Sequence, residues 1–179
     1  MKKKDSIWEL IELLILVLVI VIPIRMFIAQ PFLVSGESML PTFHDKEFLI
    51  VDELSYLTGE PERGDIAIFK YPVNKKRIFI KRIIGIPGDT ITISNGNVFI
   101  DGEKINEPYI KEQFITNGTY EVTAENYFVM GDNRNRSSDS RIWGLVPENY
   151  LIGRAYIRLL PLSEISYLPG KYNYGQETK

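Results

Sequence analysis

Cysteine is absent from this chain of 179 residues, and histidine occurs once. Without thiols the chain has no disulfide, no zinc–thiolate centre and no thiol nucleophile, a composition that suits exposure to an oxidising exterior. A single histidine leaves only carboxylates for a metal site. No dense carboxylate cluster stands out, so neither a metal nor another cofactor is expected. A basic excess is also missing: 21 Lys and Arg stand against 23 Asp and Glu, and the sequence pI is near 5.6. That balance argues against a nucleic-acid partner, which would call for a strongly basic face. There is no internal repeat, no low-complexity tract and no long amphipathic helix beyond residue 30. The length suffices for one domain with a real core and a modest appendage.

One long apolar run breaks this uniformity. MKKKD is followed by an apolar segment from Ile7 to Ile28, densest from Leu13 to Ile24, with Glu9 and Glu12 near one end and Arg25 near the other. A span needs roughly 20 mostly apolar residues and tolerates charges near its ends. The LLILVLVIVI run lacks the polar face of an amphipathic core helix, so residues 7–29 are expected to be a transmembrane anchor. A cleaved leader would want small residues before the cut, whereas Phe27-Ile28-Ala29 offers a bulky one. The Lys2–Lys4 cluster puts residues 1–6 in the cytoplasm by the positive-inside rule. Residues 30–168 then form an extracytoplasmic domain and 169–179 a polar tail, of which KYNYGQETK (171–179) is expected to fray.

Beyond the anchor the hydrophobic period becomes two. Strand-like runs lie at 46–52, 64–70, 77–84, 89–94, 97–101, 126–132 and 154–160, rich in β-branched and aromatic residues. Pro87-Gly88-Asp89, Asn95-Gly96 and Asp101-Gly102 supply turns, the last two typical of hairpins. The expected fold is all-β: an antiparallel catalytic domain, sandwich or partly closed barrel, behind one N-terminal transmembrane helix.

Three segments have residues suited to chemistry. VSGESMLPT (34–42) places Ser35 and Ser38 around a glycine. His44, the sole histidine, would have to serve any Ser-His-Asp triad, but it sits beside Asp45 and Lys46 in a stretch that reads as surface loop. Lys81 lies inside RIFIKRII, with Phe79 and Ile83 on its own strand face. Burial there would depress its pKa and free a neutral amine as a general base. Periodicity alone favours the other reading, in which Lys81 snorkels to water at the sheet edge and Arg82 is an ordinary surface charge on the opposite face. GDNRNRSSDSR (131–141) has no apolar side chain and reads either as a solvated loop or as a polar frame that orients a catalytic lysine.

Together SGESMLPT (35–42), KRIIGIPGD (81–89) and GDNRNRSSDSR with WGLV (131–146) resemble the sequence boxes of type I signal peptidases, in the short Gram-positive form. The resemblance runs from about residue 5 to 160 and includes the anchor. It implies an antiparallel β fold, Ser38 as nucleophile and Lys81 as general base. It further implies that Ser137 hydrogen-bonds and orients the lysine, and that Arg82, Asp132, Asp139 and Arg141 form supporting ion pairs. Gly36 departs from the Gram-negative pattern, where a serine at this position helps to bind the oxyanion, so the second oxyanion donor is left unassigned.

The implied function is a membrane-bound serine endopeptidase that removes signal peptides from exported preproteins with a Ser-Lys dyad. The implied partners are signal peptides, the lipid bilayer and the export machinery. Val34, Met39 and Ile80, adjacent to the dyad in sequence, are the candidate lining of shallow substrate pockets. Gly36 would admit the substrate backbone, and Ile28, Phe32, Leu33 and Leu40 are candidates for contact with lipid. Two other readings stay open: a self-cleaving Ser-Lys protein, although those carry a DNA-binding domain where this chain has an anchor, and a non-catalytic membrane-anchored β binding module.

Overall fold

The computed structural model describes residues 2–27 and 30–174. It opens with helix α1, Lys2–Phe27. The side chains described along it, among them Trp8, Leu10, Leu13 and Val19, are exposed. Among the described residues, no helix is long and apolar enough to cross a membrane.

Strands β1 (Gln30–Leu33), β2 (Phe48–Asp52), β3 (Ile66–Lys70), β4 (Ile78–Gly85), β5 (Thr90–Ser94), β6 (Asn97–Ile100), β7 (Glu103–Lys104), β8 (Gly118–Glu121), β9 (Asn126–Met130), β10 (Val146–Pro147), β11 (Leu151–Leu160) and β12 (Ser166–Tyr167) follow, with two short helices, α2 (Leu54–Thr58) and α3 (Ser140–Trp143). The strands form two sheets. The larger runs β1-β2-β11-β3-β4-β9-β10 with β12 on β11, and the smaller runs β7-β6-β5-β8. Pairing is antiparallel throughout the described ladders.

All seven expected runs contain a strand. The hairpin turns also form where expected: Asn95-Gly96 and Asp101-Gly102 each have positive φ at both residues, 48° and 76° in the first and 52° and 85° in the second. That backbone matches the right-handed twist of the flanking strands. Strands β1, β7, β8, β10 and β12 lie outside the expected runs; they are two to four residues long and mostly exposed. Alternation that short leaves little periodic signal.

Apolar side chains gather in three clusters. One holds Val34, Met39, Phe43, Leu49, Val51, Ile66, Ile68, Ile80 and Ala155. The second fills the smaller sheet around Ile91, Ile93, Val98 and Phe128. The third joins Ala67, Phe69, Ile83, Tyr127, Val129 and Val146. Strand β4 contributes to all three, through Ile80, Ile84 and Ile83. Its exposed start gives way to a run buried from Ile80 to Gly85, so a charged residue in that run enters the interior with it.

The tail departs from expectation. Residues 171–174 are docked rather than frayed: the Tyr172 N–H donates to the Gly64 carbonyl, and the Tyr174 hydroxyl meets that of Tyr109 at 2.5 Å. Tyr174 explains the difference, since it packs its ring while its hydroxyl keeps a partner. Residues 175–179 lie outside the described residues.

Candidate active site

The segment 34–47 is an excursion between β1 and β2 that closes on itself. Val34 N–H donates to the Glu47 carbonyl and Lys46 N–H to the Val34 carbonyl, both at 2.9 Å. Gly36 N–H donates to Asp45 Oδ1 at 2.8 Å. Gly36 has φ +92°, a conformation L side chains rarely adopt, while a Cβ there would point into open space. The backbone conformation, not a close neighbour, is therefore what favours glycine at this position. Within this excursion the apolar side chains of Met39 and Phe43 sink fully into the core, which leaves Ser38 half-buried at its surface.

Strand β4 brings Lys81 to that serine. Ala67 of β3 is its register partner, and the lysine is only 4% exposed, so it does not snorkel to water. Lys81 Nζ lies 2.7 Å from Ser38 Oγ and donates to the Ile80 carbonyl at 3.0 Å. Burial pulls its pKa down from the ordinary lysine range to about 8, against the opposing pull of Asp139 and Asp132. An amine held at this poise is neutral in a useful fraction near physiological pH, as a general base requires.

Arg82, on the opposite face, is buried too, contrary to its reading as a surface charge. Its Nε and Nη2 donate to Asp132 Oδ1 and Oδ2 at 2.8 and 2.6 Å, a bidentate fork that compensates both desolvated charges. Asp132 also accepts from Thr42 Oγ1, in the same excursion as Ser38.

The loop 131–141 is likewise mostly buried instead of solvated. Asp139 accepts from the Gly131 N–H at 3.0 Å, from Arg141 Nε and Nη2, each at 2.8 Å, and caps α3 through the Arg141 N–H. Arg134 forks onto Glu107. With such partners a wholly polar segment can be buried without orphaned charges. The loop also holds the nucleophile's backbone: Asn133 N–H donates to the Ser38 carbonyl at 3.1 Å and Asn133 Nδ2 to the Glu37 carbonyl at 3.1 Å. Gly131 is required there, because a Cβ would stand 2.2 Å from Ser137 Oγ and 2.5 Å from the Ser38 carbonyl oxygen.

The profile of the family described as signal peptidase, peptidase S26, matches residues 7–160. This chain belongs to that family. It is 38% identical over 178 residues to a protein named probable signal peptidase I-2 from Synechocystis, covering 93% of this chain and 82% of that one. It is 37% identical over 178 residues to signal peptidase I P from Bacillus subtilis subsp. natto, covering 93% and 96%. A crystal structure of a signal peptidase I from Enterococcus faecalis superposes with a TM-score of 0.50 at 32% identity, covering 53% of this chain and 96% of the other. The chain is thus a hydrolase, a serine endopeptidase of the signal peptidase I type.

Within this signal peptidase family member, most of the expected site residues converge and two expectations change. Ser137 makes no bond to Lys81: its Oγ is buried without a hydrogen-bond partner among the described residues, and it packs against Gly131. Val34, Met39 and Ile80 share one core cluster beside the dyad but are almost wholly buried, and their mutual packing hides the surface a pocket would show. His44 is exposed and pairs with Glu47; none of the hydrogen bonds among the described residues joins it to Ser38. Of the four candidates for lipid contact, Leu33 is exposed, Phe32 packs against the core, Leu40 is half-buried, and Ile28 lies outside the described residues.

Sequence reasoning missed Thr42, Gly131 and Asn133 as supports of the nucleophile. All three lie in the segments that were singled out, yet their partners are Asp132, Ser137 and the Ser38 backbone. A hydroxyl, a missing side chain and a backbone N–H have no spacing signature.

Proposed function

We propose that this chain removes signal peptides from exported preproteins, with Ser38 as nucleophile and Lys81 as general base. The observation carrying the proposal is the 2.7 Å contact between Ser38 Oγ and a buried lysine whose pKa is depressed to about 8. Neutral Lys81 takes the Ser38 proton as Oγ attacks the scissile carbonyl, and the resulting ammonium gives that proton to the departing amine. Released again as a free amine, Lys81 then deprotonates the water that hydrolyses the acyl-enzyme. The Ser38 N–H donates no hydrogen bond among the described residues, which suits it to receive the oxyanion. Asp132 and Asp139, neutralised by Arg82 and Arg141, frame the lysine without holding it protonated.

Substrate is read as an extended strand laid beside the dyad. Val34, Met39 and Ile80 are closed core beside the dyad, so there is no deep pocket there for a large side chain before the cut. In a preprotein series, replacing alanine immediately before the cut with phenylalanine is expected to lower kcat/KM by about a hundredfold or more through steric overlap. Equal rates for the two would remove the signal-peptide reading.

The segment 7–29 is the membrane anchor in this proposal. Its sequence is apolar on every side between Leu13 and Ile24, and its described apolar side chains have no protein cover; lipid is the solvent such a helix matches. The Lys2–Lys4 cluster orients it with the N-terminus in the cytoplasm. Protease added outside intact protoplasts is expected to digest the domain after Gln30 and leave a short membrane-bound stub. Protection of the whole chain would reverse the orientation.

A further inference from the structure

Arg82 is the neighbour of Lys81 in β4, and its guanidinium is enclosed on every side. Two nitrogens fork onto Asp132. The third donates to the carbonyls of Gly64 and Gly170. Above the plane lies the Tyr109 ring, 3.9 Å from Cζ. Two of these contacts depend on the segment 168–174, which follows β12. Gly170 supplies its carbonyl directly, and Tyr174 holds Tyr109 in place through the hydroxyl contact at 2.5 Å. Tyr172 packs edge-on against both rings, at 5.5 Å from Tyr109 and 5.2 Å from Tyr174.

The segment is seated by more than tyrosines. Lys171 Nζ donates to Glu62 at 2.7 Å and lies 3.3 Å from Asp65. A Cβ on Gly64 would stand 1.7 Å from the Tyr172 carbonyl oxygen, and one on Gly170 would stand 2.5 Å from Thr42 Cγ2. That second approach matters, because Thr42 belongs to the same turn as Ser38 and its hydroxyl donates to Asp132. Residues 168–174 thus press on the strand that carries Lys81, through Arg82, and on the turn that carries Ser38, through Thr42.

We propose that residues 168–174 are a positioning strap that keeps Ser38 and Lys81 in contact by sealing the Arg82–Asp132 pair from water. The inference rests on the Ser38–Lys81 reading above. The strap lies beyond residue 160, outside the region matching the family profile. Opening the strap would loosen the turn that lays Ser38 on Lys81, letting water reach the amine, and would weaken the neutralisation of Asp132 by Arg82. Asp139, paired with Arg141, is the other charge that acts on the lysine, and it is untouched by the strap. Both changes favour the ammonium, so the base would titrate at higher pH. Burial raises the pKa of both Tyr109 and Tyr174, so neither phenol ionises in the range where the lysine does.

The test compares pH profiles of preprotein cleavage for the full chain, a truncation ending at Pro169, a truncation ending at Tyr174, and Gly170→Ala, whose methyl wedges the strap off Thr42. For the Pro169 truncation and Gly170→Ala, kcat at neutral pH is expected to fall about tenfold or more, the scale on which small misplacements of reacting groups act. KM should change little, the acid limb should move to higher pH, and part of the loss should be recovered in alkaline buffer. A synthetic peptide spanning residues 168–179, added in trans, should restore the limb of the Pro169 truncation, and the same peptide with Tyr174→Ala should not. The truncation ending at Tyr174 should match the full chain.

Should the Pro169 truncation fail to fold, Gly170→Ala gives the same readout from a single methyl. A folded variant with the unshifted profile of the full chain, or a loss equal at every pH, would overturn the strap. So would a shift in the truncation that ends at Tyr174. If the full chain shows no acid limb that depends on Lys81, the dyad itself has failed, an outcome distinct from failure of the strap.

Discussion

Ser38→Ala is expected to reduce preprotein cleavage by at least about four orders of magnitude, the scale of loss when a serine peptidase is deprived of its nucleophile. The fold should hardly notice. Ser38 is half-buried on a turn, and the packing of that turn comes from Met39 and Phe43. Among the described residues its Oγ contact is with Lys81 alone, and the lysine keeps the Ile80 carbonyl. Losing one such hydrogen bond costs about 1 kcal/mol. Urea midpoints should therefore nearly coincide while turnover vanishes. Ser35→Ala serves as the comparison: Ser35 is exposed and takes no part in the contacts around Lys81, so most activity should remain. Equal loss in both variants would show that the turn's conformation, not the Ser38 hydroxyl, is what cleavage requires.

Lys81 carries the second large effect. If its neutral form is the base, cleavage should rise with pH through about 8 and level off above it. Lys81→Arg should be inactive, because a guanidinium stays protonated, whereas His44→Ala should retain most activity. Stability should show the same titration with a definite sign. The folded lysine has its pKa depressed to about 8 from 10.5, so between those values the unfolded chain binds more protons than the folded one, and stability rises with pH. The penalty for burying the ammonium, about 3 kcal/mol for a shift of this size, is present in full below about pH 8 and fades toward 10.5. Lys81→Met keeps the apolar bulk and removes the charge. Relative to wild type it should gain stability at pH 7, and that gain should shrink in alkaline buffer. Denaturant midpoints measured across the range would test it; an active Lys81→Met enzyme, or a gain independent of pH, would reject the buried base.

The sequence by itself determined the local elements and the chemistry to look for. Alternating β-branched residues marked the runs that became β2 to β6, β9 and β11, because a strand with one buried face repeats its signal every second residue. Asn95-Gly96 and Asp101-Gly102 marked hairpins because few residues accept two consecutive positive φ values. The boxes around Ser38, Lys81 and residues 131–141 pointed to a serine endopeptidase of the signal peptidase type. What the sequence left open was which charges would be buried. For Arg82, Lys81 and most of 131–141, local sequence alone favoured the solvated reading, since a polar side chain enters the core only when its partners arrive there with it. Those partners are distant along the chain: Asp132 is 50 residues from Arg82, and Ser38 is 43 from Lys81. The tail followed the same rule, its polar composition suggesting fraying until Tyr109, 65 residues before Tyr174, supplied the ring and hydroxyl that hold it. Periodicity registers neighbours at two or four positions, and only the assembled sheet, which sets β4 between β3 and β9, decides which remote charges meet.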